Sequence, residues 1–153
     1  LPWITSKFIN NKINKPISID WERFDEKKIK ISTKTKSLLN SEKLKVGFAW
    51  SGRPTHLRDQ VRTMDISYFE NLFNTKDINF FSLQKFGKKE LKYMSKFNNV
   101  HNCEDDLKDF LHTAHLIKHM DVIFTIDTSL VHLAGTLNKK TFLFLPLVPD
   151  YRW

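Results

Sequence analysis

Short runs of apolar, β-branched and aromatic residues alternate with stretches of helical period, and this alternation constrains the fold more than any other feature of the chain. The runs cover residues 44–50, 78–83, 100–103, 121–126 and 141–145. Between them the apolar spacing predicts helices over 65–73, 88–97, 107–120 and 128–137. Strands that alternate with helices in this way call for a parallel sheet with helices on both faces. The expected class is therefore α/β, a Rossmann-like doubly wound parallel sheet. Ligands of such sheets lie beyond the carboxyl ends of the strands, which directs attention to the loops after Trp50, Leu83 and Ile126.

A chain of 153 residues has room for one domain with its own core and is short for two. Residues 1–40, rich in Asn, Lys and Ser and carrying Pro2 and Pro16, show no sustained periodicity outside 20–28. They are expected to be a linker or the remnant of a preceding domain, with residues 41–153 forming a domain truncated at its C-terminus. The opening on Leu1 and the aromatic close at Trp153 read as cut ends, where Trp3, Trp21 and Trp153 would have packed on missing partners.

Hydrophobic residues at 41% and charged residues at 27% suit a folded soluble protein. No apolar run is long enough for a membrane span and no secretory signal opens the chain, so a cytoplasmic location is expected. Cys103 is the only cysteine, which excludes an internal disulfide and a thiolate metal cluster. The net charge of +8 favours anionic partners. Its lysines are interspersed with Asp and Glu rather than gathered in an arginine-rich stripe, which points to a solvated surface and away from nucleic acid. With four glycines and no glycine-rich dinucleotide loop, a dehydrogenase is disfavoured and no cofactor is expected.

The strongest chemical signal is Asp127-Thr128-Ser129, placed where an apolar run gives way to a helical one. At about 100° per residue, Leu130, Leu133, Ala134 and Leu137 form one stripe of that helix, and Thr128, Ser129, His132, Gly135 and Thr136 the other. The polar stripe begins with backbone amides that attract phosphate. His132 stands one turn on as a donor, and Gly135 would let a ligand approach the helix. A carboxylate facing phosphate would repel it, so Asp127 is assigned to capping or to orienting a neighbour. The same segment also fits an ordinary capped helix with an exposed histidine.

The stretch from Asp121 through Asp127-Thr128-Ser129 to Leu137 resembles the donor-site segment of bacterial TPR-linked glycosyltransferases related to lipopolysaccharide heptosyltransferases. Leu145-Pro146-Leu147-Val148-Pro149-Asp150-Tyr151-Arg152-Trp153 is similar to the segment that follows it in that group. Val46 to Gly52, then Arg58-Asp59 and Arg62, resemble the group's first donor-domain strand and basic loop. Phe81-Ser82-Leu83-Gln84-Lys85 resembles its second strand end, and Asp109-Phe110 with Thr113-Ala114 and Leu116-Ile117 the helix before the donor loop. The resemblance implies one half of a GT-B enzyme, the half that binds a nucleotide diphosphate sugar. The fragment would be inactive alone, its partners being the sugar donor, an unidentified acceptor, the other GT-B domain and TPR repeats of the same chain.

Around that donor loop, Ser51-Gly52-Arg53 offers backbone amides and a guanidinium to phosphate oxygens. Arg58, with Asp59 and Arg62, extends the basic loop, and Lys85 would neutralise the departing diphosphate. In a lysine-rich protein these positions are also ordinary solvent loops. His112, His115 and His119 share a helical face but have no carboxylate pair beside them, so they read as a polar face and no metal is expected. No general base is assigned. The competing expectation is a non-catalytic nucleotide or nucleic-acid binding module.

Overall fold

In the computed structural model the structure describes residues 28–85, 87–150 and 153. The expectations for Trp3, Trp21, the stretch 20–27 and Tyr151-Arg152 lie outside the described residues. The apolar runs become strands β1 (Leu44–Ala49), β2 (Ile78–Ser82), β3 (Val100–Asn102), β4 (Val122–Ile126) and β5 (Thr141–Phe144). They form one parallel sheet in the order β3-β2-β1-β4-β5. Asp121, expected to open the fourth strand, lies just outside β4 and anchors the start of the ladder. Its carboxylate accepts from the Lys45 amide at 2.7 Å and its own amide donates to the Lys45 carbonyl at 2.8 Å.

Period-2 alternation sends successive side chains of each strand to opposite faces, and both faces are covered. Val46, Phe48 and Phe80 join one core with Phe69 and Phe73, whereas Ala49, Phe81 and Ile123 join a second with Leu116, Ile117 and Ala134. Two separate apolar layers on one parallel sheet make the fold doubly wound. The first layer is built on rings: Phe48 lies 5.2 Å from Phe73 and 5.3 Å from Trp50 between centroids. Burial of each such ring stabilises the fold by roughly 1.5–3 kcal/mol.

The helices are α1 (Thr33–Leu39), α2 (Asp59–Arg62), α3 (Glu70–Phe73), α4 (Lys88–Met94), α5 (Phe110–Lys118) and α6 (Ser129–Thr136). The helix expected over 65–73 divides into a 3₁₀ turn, Ile66–Phe69, and α3. The one expected over 107–120 starts later because Asp109 caps it, its side chain accepting from the His112 amide at 2.9 Å. Among the described residues no helix is long and apolar enough to cross a membrane.

The core extends upstream of the expected boundary at residue 41. Ile29, Ile31 and Leu39 are buried with the α5 and α6 side chains. Asp106, 4% exposed, ties this segment down from the far side of β3. Its carboxylate accepts from the Ser32 amide at 2.7 Å, the Ser32 hydroxyl at 3.0 Å and the Thr35 hydroxyl at 2.6 Å. At least residues 29–39 are thus part of the domain rather than a linker to it.

Candidate phosphate-binding cleft

β1 and β4 lie side by side in the middle of the sheet, and the chain leaves them in opposite directions, toward β2 and toward β5. A crevice must open where the two exits part. It does: a cleft of about 570 Å³ is bounded by the loop after β1, the loop after β2 and the heads of α5 and α6. Ser51, Gly52, Arg53, Lys85, Thr128 and Ser129 all line it. Arg62 and His56 line it as well. Arg53, Arg62 and Lys85 bring positive charge, and no carboxylate stands among the described residues that line the cleft.

Gln84 shapes the first wall. Its side-chain oxygen accepts from the Trp50 amide at 2.6 Å and the Ser51 amide at 2.9 Å, while its nitrogen donates to the Ser51 hydroxyl at 2.5 Å. The Gly52 amide donates to the Thr63 hydroxyl at 3.3 Å. This narrows the reading of the Ser51-Gly52-Arg53 loop: the Ser51 and Gly52 amides are engaged within the protein, which shifts the weight of anion binding there toward side chains. Gly52 is needed for a different reason, because a methyl group on it would overlap the Asp59 carboxylate and the Arg62 guanidinium.

Arg62 joins the two sides of the cleft. Its Nη1 donates to the Asp127 carbonyl at 2.7 Å and its Nε to the Asp59 carboxylate at 3.3 Å. The loop after β1 is thereby latched to the residue that precedes α6. Thr128, not Asp127, caps that helix, its hydroxyl accepting from the Leu130 amide at 3.3 Å. Asp127 is buried at the end of β4 and does not line the cleft. Its negative charge is thus kept off the cavity wall.

Two further expected residues point elsewhere. His132 stacks on Trp153, with ring centroids 5.4 Å apart and planes at 14°. The cleft side of α6 carries Ser129, Leu130 and Leu133, and His132 falls about 60° beyond Ser129 on the other side. Gly135 shares that outward surface, and no described protein atom crowds it. Arg58 donates through Nη2 to the Val148 carbonyl at 2.6 Å. It borders a neighbouring apolar groove with Leu57, Val61 and Leu147.

His112 on α5 and His119 at its C-cap are committed locally. His112 Nδ1 donates to the Asp109 carboxylate at 2.7 Å and His119 Nδ1 to the His115 carbonyl at 2.8 Å. Hydrogen bonds from the His112 backbone and ring hold the Asp109 carboxyl below the usual range. Burial pushes the Cys103 thiol up to about 12, which leaves it protonated and unreactive near neutral pH. Sequence reasoning places Arg62 only in the basic loop and gives Gln84 and Phe110 no ligand contact, though all three line the cleft. A glutamine at a strand end, an arginine in a basic loop and a phenylalanine at a helix start each have common structural explanations. Compared with known proteins, the chain matched no protein-family model, no curated protein and no solved structure.

Proposed function

We propose that this domain binds the nucleoside diphosphate part of a nucleotide-sugar donor, serving glycosyl transfer in a GT-B-type enzyme. One observation carries the reading: the crevice between β1 and β4 gathers Arg53, Arg62, Lys85, Thr128 and Ser129 around a cavity with no carboxylate among the described residues that line it. Its volume of about 570 Å³ falls within the range of small-molecule sites, roughly 300–1,000 Å³. The likeness of residues 46–153 to TPR-linked glycosyltransferases supplies the reaction class.

In that reaction the acceptor hydroxyl oxygen bonds to the anomeric carbon as the bond from that carbon to the diphosphate oxygen breaks. The electron pair leaves with the diphosphate. Lys85, Arg53 and the latched Arg62 stabilise the charge that collects there, and the head of α6 adds its dipole. The acceptor's proton passes to a base outside the residues assigned to this cleft.

ADP, GDP and UDP should be screened by thermal shift. A ligand present at about 100 times its Kd stabilises the fold by about 2.7 kcal/mol. Thr128→Ala with Ser129→Ala should shrink the ligand-induced shift, read against each variant's own ligand-free midpoint because Thr128 also caps α6. No shift with any of the three nucleotides at millimolar concentration sinks the proposal.

A further inference from the structure

Phe110 is 64% exposed although phenyl rings are normally covered, and it lies at the first position of α5 as part of the cleft wall. The lining divides by origin. The loops after β1 and β2 contribute Arg53, Arg62 and Lys85, whereas α5 and α6 contribute Phe110, Leu130 and Leu133. One cavity therefore offers both a cationic lining and an exposed aromatic ring beside aliphatic side chains. A free phosphate or pyrophosphate would use only the cations. A nucleoside diphosphate uses both, since its phosphates are charged and its base is a flat, weakly polar ring.

We infer that Phe110 is the stacking platform for the nucleobase, and so a specificity-determining residue that favours nucleotides over inorganic phosphates. This rests on the diphosphate reading of the cleft and adds what recognises the rest of the ligand. An aromatic ring gains from stacking on any base, so Phe110 selects for the presence of a base more than for its identity. Being exposed, the ring can be replaced without opening a cavity in either core.

The test compares ADP, GDP and UDP with inorganic pyrophosphate by calorimetry on the wild type, Phe110→Ala and Phe110→Tyr, with melting curves to confirm folding. Phe110→Ala should weaken the best-bound nucleotide about 5- to 150-fold, the range set by losing one base–aromatic stack. Pyrophosphate affinity should change by less than about twofold, and Phe110→Tyr should retain nucleotide affinity. Equal losses for nucleotide and pyrophosphate, or none for either, overturn the stacking role while leaving the diphosphate site standing. Failure of the wild type to bind pyrophosphate and all three nucleotides overturns both.

Discussion

Replacing Arg62 tests whether the two sides of the cleft are held together as the hydrogen bonds indicate. The Arg62 side chain is 11% exposed and the Asp59 side chain beside it 13% exposed, so solvent compensates poorly for a lost contact. Arg62→Ala removes the 2.7 Å charge-assisted bond to the Asp127 carbonyl, which contributes about 1.5–3 kcal/mol. It also takes the cation away from Asp59, adding about 1 kcal/mol for a partly buried pair. A total near 3 kcal/mol, at roughly 2–4 °C per kcal/mol for a domain of this size, lowers the melting temperature by about 6–12 °C. Arg62→Lys keeps the charge but reaches only one of the two acceptors, so it should fall between wild type and Arg62→Ala in stability. Its nucleoside diphosphate affinity should stay nearer wild type. Thermal denaturation followed by circular dichroism reads the first effect and calorimetry the second. A melting temperature for Arg62→Ala within about 2 °C of wild type would refute the latch.

Asp106→Ala should lower stability by about 3–5 kcal/mol, because three hydrogen bonds to one buried carboxylate are lost together. Hydrogen exchange should show α1 amides losing protection; unchanged protection there would mean that α1 does not depend on this anchor. His101 makes stability depend on pH. Burial, helped by Lys34 and Lys43, pushes its ring down from 6.5 to about 4. Between those values the unfolded chain takes up a proton that the folded chain refuses, so stability falls as pH drops from about 6.5 and levels off below about 4. Partial solvent access reduces the effect to about 1–2 kcal/mol. Urea unfolding at pH 7.5 and pH 5 should give a smaller difference for His101→Gln than for wild type, and equal differences would exclude the assignment.

The sheet was legible because strands covered on both faces read as nearly continuous apolar runs, and Val122–Ile126 and Ile78–Ser82 announce themselves in any window. α1 was not. Its residues are mostly Thr, Lys and Ser, and its attachment comes from Asp106, whose position some seventy residues downstream no local pattern reveals. The site divides in the same way. Topology placed Ser51, Gly52, Arg53, Lys85, Thr128 and Ser129 at strand exits, and the structure brings them to one cleft. The directions of Arg58 and His132 depend on Val148 and Trp153 instead, partners beyond β5 that a helical wheel cannot include.

The cations of the cleft should not contribute equally if it holds a diphosphate. Arg53 and Lys85 are exposed on loops, and each long side chain gives up as much as about 2 kcal/mol of rotamer entropy when it is fixed on a ligand. Arg62 is already fixed by Asp59 and the Asp127 carbonyl, so its charge is in place before the ligand arrives and needs little reorganisation as charge develops on the leaving group. Gly52 is the condition for this arrangement, because any side chain there would displace the guanidinium. The residue with the weaker sequence signal is thus the better organised for binding. It follows that removing the charge at position 62 should reduce anion affinity more than removing it at 53 or 85, even though all three lie in the same cavity.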